Sequence, residues 1–190
     1  MTTAELPALA AKAPVKASAQ ALVKPEATAD EFYLAFRLAG EVYAIDILRI
    51  REIIEYTAPT TIPMMPPSVR GVINLRGSVV PVIDLAIRFG REATGVGRRT
   101  CIVIVEVEHE GAQLVLGLMV DGVNAVMEIA ADSIEPPPTF GTRVDVDFIE
   151  GMAKSGGRFV IILNLSRVLS IAEIAAIKSV DRVEGPPVIS

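Results

Sequence analysis

Between Glu31 and Leu163 the chain reads as about ten short apolar segments, rich in Val, Ile and Leu and bounded by Gly, Pro, Asp or Asn. That pattern constrains the fold more than any other feature. Short strands without long helical periods between them must hide their edges, and antiparallel closure into small barrels does so at this length. The chain has 190 residues, 51% of them apolar but only 5% aromatic and none Trp, so the core must come from aliphatic side chains.

Glu31–Leu38 alternates, with Phe32, Leu34, Phe36 and Leu38 on one side and Glu31 and Arg37 on the other, which predicts a half-buried strand. Gly40-Glu41 turns the chain into a second strand over Val42–Ile47. Asp46 can cap the segment after it, Ile47–Glu55, which reads as a short helix by its Ile spacing or as a strand by its β-branched content. Pro63, Pro66 and Pro67 make the stretch from Thr60 to Ser68 a loop. Val69–Leu75 and Ser78–Ile83 form a hairpin across Arg76-Gly77, and Pro81 requires an edge strand or a nitrogen turned away from the ladder.

Asp84 caps a brief helical turn through Phe89, closed by Gly90, and a loop follows over Arg91–Arg99. Further strands are expected over Thr100–Glu108, Gln113–Val120, Val123–Ile129, 144–149 and 158–163. A helix capped by Asn164 or Ser166 comes next, with Val168, Leu169, Ile171, Ala172, Ala175 and Ala176 on its apolar face. A faint repeat runs through the strands. Val80, Val82, Ile83, Asp84 and Leu85 align with Val160, Ile162, Leu163, Asn164 and Leu165 at an offset of 80, and Ala44 to Glu55 aligns with Gly117 to Glu128 at an offset of 73. Two similar units follow from it.

The expected organisation is a flexible tail over residues 1–29, a first barrel over 30–95, a second barrel with its helix over 96–178, and a tail over 179–190, with strand exchange between barrels allowed.

Charge is segregated. Six Arg stand between Arg70 and Arg99 against Asp84 and Glu92, whereas ten acidic side chains lie between Cys101 and Glu150 against Arg143. Differently charged faces suit docking to proteins and not to a phosphate backbone. No run reaches the ~18 apolar residues of a membrane span. A single Cys precludes an internal disulfide and fits a cytoplasmic protein.

Catalytic chemistry finds little purchase. Cys101 sits in an apolar run and reads as a buried thiol, and His109 reads as a solvated turn residue. One His and one Cys do not furnish a zinc site, and Asp145 and Asp147 read as a solvated strand face. Gly95-Val96-Gly97 lacks the lysine and hydroxyl of a phosphate loop. No catalytic residue, metal ligand or cofactor is therefore assigned. Arg76, in a turn between apolar strands, could project its donor fork toward a partner carboxylate or remain solvated.

The stretch from Val69 to Phe89, with its Gly71, Asn74-Leu75-Arg76-Gly77, Val80-Pro81 and Asp84-Leu85, resembles the signature of CheW-like domains. Phe32–Leu38, Tyr43–Ile47, Arg51-Glu52-Ile53, Gly117–Asp121 and Phe159–Leu165 extend the likeness over roughly residues 30 to 172. The resemblance implies an all-β fold of two SH3-like five-stranded barrels packed together, with short helices including one near the C-terminus, and no enzyme activity. It implies a cytoplasmic adaptor, recruited to membrane-associated arrays, that couples the cytoplasmic tips of chemoreceptors to the regulatory domain of the histidine kinase CheA, with other CheW-like domains as further partners. An adaptor for a chemosensory pathway other than motility, or a small-molecule-binding double barrel, is the alternative.

By position, the resemblance assigns Arg76 and Gly71 to partner contact or to shaping that surface, and Glu52 and Ile50 to kinase and adaptor contacts. It makes Ile73, Val79 and Val120 candidates for the wall of an apolar groove between barrels, or for core.

Overall fold

The computed structural model describes residues 30–181 apart from 140 and 143, so the expected tail over 1–29 and most of that over 179–190 lie outside the described residues. The fold is mostly β, with ten strands in two five-stranded sheets.

The strands are β1 (Glu31–Leu38), β2 (Glu41–Asp46), β3 (Ile50–Glu55), β4 (Val69–Leu75), β5 (Ser78–Asp84), β6 (Cys101–His109), β7 (Ala112–Val120), β8 (Gly122–Ile129), β9 (Ile149–Ser155) and β10 (Arg158–Leu163). The short helices are α1 (Leu85–Arg88), α2 (Leu165–Val168) and α3 (Ile171–Asp181). The first sheet has the order β8-β1-β2-β10-β9, the second β3-β6-β7-β5-β4.

The two orders are one pattern repeated. Strands β1 to β5 correspond to β6 to β10, and the equivalence holds at single pairs: Ile162 lies opposite Ala44 in parallel, as Val82 lies opposite Gly117. Thr60 exchanges two backbone hydrogen bonds with Val72, and Glu135 exchanges two with Met152. The faint repeat therefore marks structurally equivalent positions. Each sheet takes strands from both units, β1 and β2 joining β8 to β10, and β3 to β5 joining β6 and β7.

Three apolar clusters result. Tyr33, Ala44, Ile129, Ala153, Val160 and Ile162 fill the inside of the first sheet, and Ile73, Val80, Val82, Ile102, Ile104 and Met119 that of the second. The largest cluster lies between the sheets, with Leu34, Phe36, Leu38, Tyr43, Val103, Val105, Leu116 and Leu118 among its members. Phe36, Tyr43, Phe89 and Phe148 form a row through it, with ring centroids 5.6–6.0 Å apart.

This layering corrects the reading of β1 as half-buried. Leu34, Phe36 and Leu38 face the inter-sheet core while Tyr33 and Ala35 are buried on the opposite face, because both sides of the strand are covered. Phe32, expected inside, is 49% exposed at the strand's open end.

Of the two readings of Ile47–Glu55, the structure takes both in turn. Asp46 accepts from Leu48 N at 2.9 Å and caps a single 3₁₀ turn over Ile47–Arg49, and β3 follows. Asp145 caps a matching turn over Val146–Phe148, accepting from Asp147 N. The strand expected over 144–149 is thus replaced by that turn, with β9 beginning at Ile149, and Asp145 and Asp147 do not share a strand face.

Pro81 is tolerated in β5, an internal strand, by direction. Its antiparallel neighbour Val72 spends its amide and carbonyl on Thr60, so Pro81 belongs to a pair that exchanges no bonds with β4, and pairing with β7 starts only at Val82. Asp84 is fully buried and satisfied, accepting from Ala86 N (3.0 Å), Thr94 N (2.9 Å) and Thr94 Oγ (2.8 Å), and so ties the Arg91–Arg99 loop to α1.

The C-terminal helix also differs from expectation. It breaks after α2 and restarts as α3, where Ser170 Oγ accepts from Glu173 N and Glu173 Oε2 accepts from Ser170 N at 2.6 Å, a reciprocal cap. Ile174, Ile177 and Val180 are buried, while Ala172 and Ala175 face outward.

Candidate protein-binding surfaces

At the β4–β5 turn, Arg76 (φ +53°) and Gly77 (φ +90°) both take left-handed backbone, the geometry of a tight hairpin that matches strand twist. Asn74 Oδ1 accepts from Gly77 N at 2.9 Å and holds the turn. This posture carries Arg76 across the end of the sheet to Glu52 on β3. Nη1 and Nη2 each stand 2.9 Å from a carboxylate oxygen, a two-point fork. The Arg76 side chain is 78% exposed, so the pair is a presented feature and contributes little stability. Arg51 makes a parallel pair with Glu106 at 3.0 Å. Arg76, Glu52, Arg51, Leu75, Val79 and Gln113 line one open cleft at this end of the second sheet.

Gly71 lies further back along β4 and is not among the residues that line this cleft. Its φ is +139°, and a Cβ there would stand 2.2 Å from the Thr60 carbonyl oxygen, so only glycine allows the Pro-rich loop to pair against Val72. Ile73 is 6% exposed inside the second sheet and Val120 is fully buried in the inter-sheet core; neither presents a surface. Ile50 is half-buried against that same core.

A second surface lies where the inter-sheet core meets solvent. Strands β3 and β8 are edge strands of different sheets, and a groove between them is lined by Ile53, Ile54, Cys101 and Val123 and rimmed by Glu55, Arg98 and Arg99. Ile53 is 44% exposed and its equivalent in the repeat, Val126 on β8, is 51% exposed. Both pair with residues that enter the inter-sheet core, Val103 and Leu34, so their side chains extend that core outward. The residue-by-residue carry-over did not include Ile53 or Val126. The offset of 73 that places Ile50 opposite Val123 places these two in register as well, and was the available signal.

Among the described residues, the titratable groups elsewhere do not gather into a reaction centre. Burial pushes the Cys101 thiol up. Burial, with Glu31 and Asp46 nearby, also raises the Glu150 carboxyl, which lies by a cleft shared with Asp46, Arg49 and Arg167. Tyr33 is raised by burial and by the hydrogen bond it donates to Glu31. His109 ends β6 beside Glu110. Among the described residues no three His, Cys, Asp or Glu side chains group as a metal site would require.

The CheW-like domain model matches residues 33–173. The chain is 33% identical to the Chemotaxis protein CheW of Klebsiella aerogenes over 153 residues, covering 80% of this chain and 90% of the relative. It is 33% identical to that of Bacillus subtilis over 140 residues, 73% and 86% of the two chains. Among solved structures, the scaffolding protein TtCheW from Thermoanaerobacter tengcongensis matches with a TM-score of 0.68 and 38% identity, over 76% of this chain and 90% of that one.

Proposed function

This chain belongs to the CheW-like domain family, and on that premise we propose that it grips two signalling partners through separate surfaces of one two-sheet body. It is a non-catalytic chemotaxis scaffold coupling receptors to the kinase CheA. The regulatory domain of CheA docks at the Arg76–Glu52 end of the second sheet. The cytoplasmic tip of a chemoreceptor, a helical hairpin, lays an apolar stripe in the groove beside Ile53 and Val123.

The observation that carries the reading is that groove. An aliphatic core left open at its rim between two edge strands, with Arg98 and Arg99 alongside, fits an amphipathic helix in both chemistry and shape. Arg76 supports the other contact, since a planar donor fork held ready at an exposed turn can re-pair with a partner carboxylate. The equivalent end of the first sheet presents Phe159, 58% exposed at the position matching Val79, and offers a contact to a further CheW-like domain. Weak contacts repeated in this way build an array.

The protein works in the cytoplasm and reaches the membrane through its receptors; no helix among the described residues is long and apolar enough to cross a bilayer. A small-molecule-binding barrel would need an enclosed apolar pocket, whereas aliphatic side chains fill both sheet interiors. The direct experiment measures binding of the purified protein to a receptor-tip hairpin and to the CheA regulatory domain. Ile53→Arg should abolish the first and Arg76→Glu weaken the second, while loss of neither would reject the assignment. Pull-down from the native cell distinguishes a motility pathway from another chemosensory output.

A further inference from the structure

The edges that form the groove, β3 and β8, are not bonded to each other: β3 pairs only with β6, and β8 only with β1. Their spacing is therefore set by how one sheet sits on the other. The inter-sheet core is aliphatic and aromatic, and apolar contact is non-directional, so burial alone specifies the spacing weakly. A directional polar contact can sharpen the register that packing and the β2–β3 and β7–β8 connections leave.

One buried assembly spans the two halves of the chain at this core. Arg88 ends α1, and its Nε donates to the carbonyl of Val168, the residue that ends α2 in the equivalent position. The same Nε lies 3.0 Å from Glu173 Oε2, and the guanidinium carbon stands 4.5 Å from the centre of the Phe148 ring. Each partner of Arg88 comes from the second half. Glu173, with its side chain 2% exposed, accepts from the Ser68 hydroxyl of the first half and from Ser170 N of its own. Beside it on α3, Ile174 and Ile177 enter the inter-sheet core. The first half has no counterpart of α3; its α1 is followed by the Arg91–Arg99 loop.

We propose that the Arg88–Glu173 pair is the positioning element of the scaffold, fixing how the two sheets sit together and hence the width of the groove between β3 and β8. The inference rests on the groove being the receptor-tip site. A guanidinium Nε shared between a backbone carbonyl and a buried carboxylate with its own fixed donors favours one arrangement, and sliding away from it would leave the carboxylate short of partners in the core. Arg88 and Glu173 touch no partner; they act through the groove edges.

The test uses the full chain with Cys101→Ala and spin labels at Glu55→Cys on β3 and Glu128→Cys on β8, both exposed positions. Pulsed electron resonance reads the distance across the groove, and titration of unlabelled protein with a receptor-tip hairpin reads affinity. Glu173→Gln and Arg88→Met should each at least double the width of the distance distribution and weaken tip binding about tenfold, with dispersed amide spectra retained. Lower thermal stability with an unchanged distribution would reduce the pair to a structural bond and overturn the proposal. If either variant fails to fold, Ser68→Ala, which removes one donor and keeps the ion pair, should broaden the distribution to a smaller extent, and no broadening there overturns it equally. Ile53→Arg with the Arg88–Glu173 pair intact separates the premise: unchanged tip binding there rejects the groove, while the distance measurement still decides the role of the pair.

Discussion

Arg76 and Glu52 meet across the open end of the second sheet through two bonds of 2.9 Å, although the residues are 24 apart in the chain, Glu52 on the edge strand β3 and Arg76 in the turn that follows the opposite edge strand β4. An exposed pair of this kind stabilises the fold by only about 0 to 1 kcal/mol. Arg76→Glu should consequently leave the thermal midpoint within a few degrees of the parent while lowering affinity for the kinase regulatory domain by tenfold or more. Calorimetric binding beside a thermal melt checks both; a large drop in stability with unchanged affinity would make the pair structural.

Gly71 and Gly151 hold equivalent places in the repeat, but their surroundings differ. A Cβ on Gly71 meets the Thr60 backbone oxygen at 2.2 Å with φ at +139°, whereas one on Gly151 meets chiefly the Ile134 side chain at 2.4 Å. Backbone cannot move aside as a methyl group can. Gly71→Ala should cost about 2 to 4 kcal/mol, and Gly151→Ala less, as measured by urea unfolding. The reverse order would contradict the geometry.

The hairpin at Arg76-Gly77, the Asp84 cap and the two offsets of the repeat were legible because each is a local pattern of turn formers and alternation. Which strands exchange between the sheets was not, since the parallel pairs Val82 with Gly117 and Ile162 with Ala44 join segments far apart in sequence and leave no local mark. β1 was misread as half-buried because alternation shows one covered face and is silent about Tyr33 and Ala35 on the other. Ala172 and Ala175 read as a helix's inner face from apolar spacing alone, which gives no sign that Glu173 is the side chain buried there by its ties to Ser68 and Arg88. The residues that line the groove were not legible for a similar reason: an isoleucine such as Ile53 reads as core wherever it occurs, and only packing shows that it is left at a rim.

Asp84 accepts three hydrogen bonds in a site without solvent, one from Ala86 N of α1 and two from Thr94 of the Arg91–Arg99 loop. Removing the carboxylate strands those donors, so Asp84→Ala should destabilise the fold by about 3 kcal/mol and Thr94→Val by about 1 kcal/mol. Amide exchange should accelerate first between residues 91 and 99.

Glu150 gives a pH test. Its folded carboxyl is raised from the ordinary carboxylate value, through partial desolvation first and then Glu31 and Asp46, so the folded state binds the proton more tightly than the unfolded state. Stability from this group is thus present below the unfolded value and lost as pH rises through the folded one. Glu150→Gln should give a small gain in stability at neutral pH that vanishes below about pH 4, where the parent carboxyl is protonated in both states. A gain that persists in acid would assign the effect to packing.

The most direct measurement asks whether one molecule holds both partners at once. Sedimentation of this protein with a receptor-tip hairpin and the CheA regulatory domain should give a complex containing all three, from which Ile53→Arg removes only the hairpin and Arg76→Glu only the kinase domain. Competition between the two partners for a single site, or a complex indifferent to both substitutions, would contradict the account.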